Sequence, residues 1–288
     1  MGEVTRELAE VRAHRRAGAY QVLTLVAPRI AAAAAPGQFV EVLVPGQAVL
    51  LRRPFSIHRA DRAGSLGTIE LAFDVIGPGT AALAALHPHD TVDLLGPLGR
   101  PFTLPPPGTP CLLAGGGYGT APLFFLAERL RPLGCRVAFL VAAATAPRLF
   151  QAMEARRLGN SLTVTTDDGS AGRRGLVTDP MAELVARSGS RQVYACGPMP
   201  MLAAVSRVAA RLGVACQVAV EEQMACGTGI CFACVIPLLP TGPPAAAADG
   251  AAGGRMARAC VDGPVFDGAA VAWADLGHAA APEAELVV

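Results

Sequence analysis

The spacing of apolar positions divides the chain into three parts. From residue 1 to about 104, short apolar runs rich in β-branched residues alternate with turn residues. YQVLTLVAP (20–28), QFVEVLVP (38–45), TIELAFDVIG (68–77) and TVDLLGP (91–97) each read as a strand, and Pro-Gly and DRAG turn signals separate them. LRRPFSI (51–57) reads as the end of a further strand, and AALAALHP as one short helix. The pattern predicts a small antiparallel β-barrel. PFTLPPPGTP (101–110) holds five prolines and predicts a linker.

From 110 to about 220 the period switches back and forth. CLLAGGG, CRVAFLVAA, SLTVTTDDG, RQVYACGP and CQVAVEE read as strands. TAPLFFLAERLRPLG, APRLFQAMEARR, VTDPMAELVARSG and MPMLAAVSRVAARLG read as helices. Strands alternating with helices predict a parallel sheet. The expected fold is therefore α+β and multidomain, with a β-barrel over 1–104, an α/β domain over 105–220 and a small cysteine-bearing segment over 221–288.

Composition narrows the picture. At 288 residues the chain can bury more than one core. The net charge of +1 offers no basic field for nucleic acid, and the 24 basic residues are all arginine. The charged start, MGEVTRELAEVRAHRR, does not read as a signal peptide. The longest apolar run, VAFLVAAATAP (137–147), is too short for a membrane helix. The expectation is a cytoplasmic protein with no membrane and no nucleic-acid partner.

The cysteines carry the sharpest signal. In EEQMACGTGICFAC (221–234), Cys226, Cys231 and Cys234 have the spacing C-x4-C-x2-C, and a 25-residue gap precedes Cys260. This is the plant-type arrangement for a 2Fe-2S cluster. Gly227 and Gly229 permit the tight turns of such a loop. Structural zinc is the rival, although its ligands usually come as two separated pairs. Cys111, Cys135 and Cys216 lie in apolar strand patterns and read as small buried hydrophobes.

A cluster passing single electrons needs a partner cofactor. Arg53, Pro54, Phe55 and Ser56 combine an arginine for a pyrophosphate, an aromatic for a flavin ring and a hydroxyl for its reactive edge. Gly79 and Thr80, in GPGTAAL, open a helix where a phosphate could rest. AGGGYGTAPL, with Gly115, Gly116 and Gly117, follows a strand and opens a helix, as a dinucleotide site requires. Asp167 and Asp168 suit ribose hydroxyls and favour NAD over NADP; a solvated turn is the plainer reading. Cys196, Gly197 and Pro198 end a strand where a nicotinamide could lie; packing is the rival role for Cys196.

The barrel with R-x-aromatic-S, followed by GGGxG and CGPxPM, resembles the ferredoxin–NADP reductase superfamily. With EExMACGxGxCxAC next and CVDGPVF carrying the fourth cysteine, the chain is similar to the electron-transfer subunits of the NAD-linked dihydroorotate dehydrogenases. The resemblance implies FAD, one 2Fe-2S cluster and NAD as cofactors. It implies an FMN-containing catalytic subunit as partner, in a heterotetramer of two of each, serving pyrimidine biosynthesis. It assigns flavin contacts to Arg53, Pro54, Phe55, Ser56, Gly79 and Thr80, with Ala72, Phe73 and Asp74 as a third contact segment, and cluster ligands to Cys226, Cys231, Cys234 and Cys260. Where the family commonly has tyrosine–arginine this chain has Phe73 and Asp74, so a cationic contact is missing. The gap before Cys260 is longer than the family's usual spacing. No side chain need act as acid or base, because the cofactors carry the chemistry. Other readings are a sulfide dehydrogenase, bifurcating transhydrogenase or hydrogenase subunit, a stand-alone NAD(P)H reductase, or a zinc-stabilised interaction protein.

Overall fold

A computed structural model describes residues 4–44, 46, 50–62, 66–240 and 254–277. Its first part contains β1 (Thr5–Ala17), β2 (Tyr20–Val26), α1 (Pro28–Ala33), β3 (Phe39–Leu43), β4 (Arg53–Asp61), β5 (Thr68–Phe73), α2 (Pro78–Ala84) and β6 (Thr91–Leu98). The six strands close into an antiparallel barrel in the order β1-β2-β5-β4-β3-β6. Closure removes the exposed edges that an open sheet would leave. Alternate residues fill the barrel, among them Val11, Leu23, Leu25, Val40, Val42, Phe55, Ile57, Leu71 and Leu94.

Two details differ from the sequence pattern. The charged N-terminal stretch is a 13-residue strand, β1, in which Glu7, Ala9 and Val11 are buried while Leu8 and Glu10 between them face solvent. The RPFS stretch opens β4 and does not end a strand. Its proline hid that start, because Pro54 is poor in strand interiors.

The second part contains β7 (Cys111–Gly116), α3 (Ala121–Leu130), β8 (Val137–Ala143), α4 (Ala152–Leu158), β9 (Ser161–Thr166), β10 (Arg173–Arg174), α5 (Met181–Ser188), β11 (Gln192–Cys196), α6 (Met199–Arg211) and β12 (Ala215–Ala219). The stretch expected as one helix, APRLFQAMEARR, divides into a 3-10 turn at Ala146–Arg148 and the later α4, with Gln151 between them at φ 48°. The C-terminal part contributes a hairpin, β13 (Val235–Leu238) with β14 (Arg255–Arg258), and then β15 (Val265–Asp267). The large sheet runs β10-β9-β8-β7-β11-β12-β15. It is parallel through β12, and β15 adds antiparallel at its edge. The C-terminal part thus shares the sheet's core: Cys234, Ile236, Ala257, Cys260 and Phe266 pack with Val218, Val220 and Leu202, and with Phe39 and Leu98 of the barrel.

The barrel meets the sheet through α3. His58 on β4 is fully buried, and its Nδ1 donates to the Ala121 carbonyl at 2.8 Å. Burial holds the imidazole down at about 3, so it is neutral. Phe124 and Phe150 each lie 5.3 Å from its ring in edge-on packing. Next to it, Arg59 pairs with Glu128 at 3.0 Å and Glu154 at 2.9 Å. Phe124 is fully buried and touches His58, Phe139 and Phe150. Replacing it with alanine is expected to cost about 3–5 kcal/mol. Scanning calorimetry should then show a lower apparent Tm for the Phe124→Ala protein.

Candidate functional site

Two cavities open where the barrel, the sheet and the C-terminal part meet. The smaller, about 260 Å³, is lined from the barrel by Arg53, Pro54, Phe55, Ser56, Ala72, Phe73, Asp74 and Thr80, and from the other parts by Cys196, Val220, Glu222, Met224 and Pro264. Strand alternation points Phe55 and Ile57 into the barrel and leaves Ser56 exposed on the other side. Phe55 and Phe73 pack with ring centroids 5.5 Å apart. Thr80 Oγ1 accepts from the backbone N–H of Ile76 (2.9 Å) and Gly77 (3.1 Å), so it shapes the entry to α2 as well as lining the cavity. Gly79 is buried inside α2 and is not part of the lining.

The larger cavity, about 510 Å³, lies over the C-terminal ends of β7, β8 and β11. Gly116, Gly117, Asp167, Gly197 and Pro198 line it, with Tyr20 and Arg148. Its place is the crevice where strand order reverses, since β7 has β8 on one side and β11 on the other. Ligands of open α/β sheets bind in such crevices. Gly115 is buried behind this surface and does not line it. Asp168 also stays outside it: its Oδ1 accepts from the Ser170 N–H (2.9 Å) and hydroxyl (2.6 Å), which holds the carboxyl below the usual carboxylate range. Of the two aspartates, only Asp167 faces the cavity.

Asp74, Tyr118, Gly119, Gly197 and Glu221 line both cavities and form the wall between them. A methyl group on Gly119 would lie 2.6 Å from Gly197 Cα, so the two loops touch through glycine backbone. Tyr118 donates to Glu221 Oε1 at 3.2 Å, and burial, then Glu221, raise its pKa and keep it protonated. Cys196 is buried, and burial pushes its thiol well above the ordinary range. Arg148 binds Asp74 Oδ2 through both terminal nitrogens, at 2.9 and 3.2 Å. Arg148 thus sets a guanidinium beside position 74 from the sheet side, and it lines the larger cavity and not the smaller one.

Glu221, Glu222 and Met224, which lead into the cysteine loop, close the smaller cavity from the third side. Gly227 and Gly229 adopt φ +65° and +83°, the left-handed region that glycine enters without strain. The Thr228 N–H points at Cys226 Sγ, 3.4 Å away. Burial opposes ionisation of Cys226, but N–H groups of Cys231 and Thr228 outweigh it and bring the thiol down to about 6. The β13–β14 hairpin pairs Val235 with Arg258, and Ala259 N donates to Cys234 O at 2.8 Å, which sets Cys260 beside Cys234. The long gap is thus the span of a hairpin; most of the alanine- and glycine-rich loop at 241–254, expected to be a loose and dispensable excursion, lies outside the described residues. Among the described residues no three His, Cys, Asp or Glu side chains converge on one ion position. Two thiolates for each of two irons need no such convergence, whereas tetrahedral zinc does. The donor set, the turned glycines and the N–H aimed at sulfur fit a two-iron cluster.

Comparison with known proteins agrees with this geometry. Residues 221–272 match the iron-sulfur cluster binding domain of dihydroorotate dehydrogenase B. The electron transfer subunit of dihydroorotate dehydrogenase B (NAD(+)) from Desulforamulus reducens is 37% identical over 86% of this chain and 90% of its own length. The corresponding subunit of Bacillus caldolyticus is 41% identical over 80% and 84%. The chain belongs to the family of dihydroorotate dehydrogenase B electron-transfer subunits. Among solved structures, a chain of the NADH-dependent reduced ferredoxin-NADP oxidoreductase, described for flavin-based electron bifurcation, superposes with a TM-score of 0.80 at 30% identity, covering 94% of this chain and 91% of that one. A ferredoxin NADP+ reductase from Neisseria gonorrhoeae with bound FAD and NADP shares the fold, with a TM-score of 0.58 at 19% identity over 74% of this chain and 93% of that one.

Within this family member, four site residues had no motif to announce them. Arg148 and Tyr118 look like ordinary loop positions, and Glu221 reads as the edge of the cysteine segment. Glu41 left a signal: a single carboxylate inside the apolar run QFVEVLVP. Its side chain is wholly buried, and burial, then the Cys226 sulfur, push its carboxyl up to about 7. Adding one methyl group at the shared wall tests the geometry directly. The Gly119→Ala chain is expected to bind a dinucleotide about tenfold more weakly, or about 1.4 kcal/mol, by calorimetric titration, with its iron content unchanged.

Proposed function

We propose that this chain is the electron-transfer subunit of an NAD-linked dihydroorotate dehydrogenase, carrying electrons from an FMN-containing catalytic subunit by way of a 2Fe-2S cluster and FAD to NAD. The observation that carries the reading is the order of the sites: Glu221, Glu222 and Met224, which lead into the cysteine loop, line the barrel cavity, and that cavity shares a wall with the dinucleotide crevice. The cluster supplies one-electron exchange and the flavin converts it to hydride chemistry. Cys226, Cys231, Cys234 and Cys260 hold the cluster. Arg53, Pro54, Phe55 and Ser56 hold the flavin with Ala72, Phe73, Asp74 and Thr80, and Gly79 supports α2. Gly116, Gly117, Asp167, Gly197 and Pro198 hold the dinucleotide; Gly115 packs beneath it and Asp168 fixes the turn beside Asp167. Cys196 contributes a neutral thiol to the wall of the flavin cavity. Residues 1–104, 105–220 and 221–288 then divide flavin, dinucleotide and cluster binding.

On this reading the dehydrogenase assembles as a heterotetramer of two subunits of each kind, in the cytoplasm. No described helix is long and apolar enough to cross a membrane. A second reading has its own support: the bifurcating oxidoreductase chain is similar over 94% of this one. Co-purification with the FMN subunit separates them. The purified complex is expected to form orotate with NAD reduction. A complex that ignores dihydroorotate and reduces NAD from another donor would refute the pyrimidine assignment.

Two substitutions test the cofactor assignments. Cys231→Ser should lose its iron and keep its flavin absorbance. Arg53→Ala should bind FAD about tenfold to a hundredfold more weakly, the worth of a charge-assisted hydrogen bond, as read by fluorescence titration of FAD.

A further inference from the structure

Among the described residues Glu41 is the most buried acidic side chain, and it has no role in the assignments above. It lies on β3, with a relative exposure of 0%, and neither Oε1 nor Oε2 has a hydrogen-bond partner among the described residues. Such an orphaned group costs stability unless something outside the chain satisfies it. Two cations neighbour it: Arg52 binds Asp93 Oδ1 at 2.9 Å and reaches only the backbone carbonyl of Glu41, and Arg53 acts on the carboxyl without a hydrogen bond to it. Strand alternation turns Val40 and Val42 into the barrel and Glu41 out of it. That outer face is covered by the cysteine loop. A methyl group on Gly227 would lie 2.5 Å from Glu41 Cγ and 2.7 Å from Oε1, so the carboxyl rests against the backbone next to Cys226. In register, Glu41 pairs with Pro54 of the flavin stretch.

We propose that Glu41 is a positioning residue for the iron–sulfur loop, whose carboxyl end hydrogen-bonds toward the cluster beneath Cys226 and Gly227 and so sets the cluster's reduction potential from the flavin barrel. The inference rests on the cluster assignment above. A carboxyl O–H and a carboxamide N–H can both donate at that reach, whereas an apolar side chain cannot. Hydrogen bonds to cluster sulfurs are among the factors that set these potentials, and a donor stabilises the more negative, reduced form.

The test uses the purified protein with its cofactors and the variants Glu41→Gln and Glu41→Leu. Glutamine keeps a donor at the same reach; leucine fills the space without one. Iron, sulfide and FAD contents, the electron paramagnetic resonance spectrum of the reduced cluster and its midpoint potential are measured. The expected result is a wild-type spectrum and potential for Glu41→Gln, and a changed spectrum with a lower potential, or loss of iron with FAD retained, for Glu41→Leu. If Glu41→Leu keeps both spectrum and potential, Glu41 only fills space and the proposal fails. A raised potential in Glu41→Gln would mean that the side chain acts as an anion and would also overturn it. Wild-type protein purified without iron would refute the cluster assignment itself, a result distinct from either.

Discussion

The contact between Gly119 and Gly197 is the constraint on which the site depends. One loop leaves β7 and the other leaves β11, two strands that are neighbours only because the sheet's order reverses there. A methyl carbon added to Gly119 would sit 2.6 Å from Gly197 Cα, so no side chain fits between them. The wall between the two cavities is therefore as thin as backbone allows. Reacting atoms must approach to about 3–3.5 Å, so a hydride donor and acceptor have to meet at the edge of this backbone, where the two cavities join, and not through it. Tyr118 and Asp74 extend the wall, and each is tied to a partner across it, Glu221 and Arg148.

The third part is held by a different means. A two-stranded hairpin as short as β13–β14 is marginal by itself. Here it is buried against the sheet, and β15 continues the sheet's edge. Pro264 O accepts from Val220 N at 2.9 Å, and Gly263 O accepts from Arg100 N at 2.5 Å, so the same turn is bonded to both the sheet and the end of the barrel. The cysteine loop thus inherits its position from two rigid bodies. That is the condition for fixed distances between redox centres: ligands on supported elements hold geometry better than ligands on free loops.

What the sequence made legible follows from what it writes locally. Cysteine spacing is local, so the iron–sulfur segment could be read directly; alternating strand and helix periods are local, so the parallel sheet could be read too. β1 was hidden because its buried positions, Glu7, Ala9 and Val11, include a carboxylate and a small residue amid arginines. Barrel closure supplies its burial, and nothing within the stretch reports that. The same reason separates Asp167 from Asp168: adjacent carboxylates look alike in sequence, and only the turn bonding to Ser170 decides which faces the cavity. The supply of charge by Arg148 depends on a contact between residues 74 positions apart, which no local pattern encodes.

The Asp74–Arg148 pair also changes the charge around the cavities. An anionic cofactor requires positive potential at its own place. Here the cation beside position 74 comes from the sheet and lines the larger cavity, not the smaller one. Arg148 is half exposed at the mouth of the larger cavity, and Asp74 borders both. A guanidinium anchored by an aspartate keeps its orientation but gives up part of its field to that partner, so it attracts an anion less than an unpaired arginine would. Among the described residues Arg53 is the arginine that lines the smaller cavity. Binding of a pyrophosphate in this chain should therefore lean on Arg53 more heavily than in a relative that carries a second arginine on the barrel.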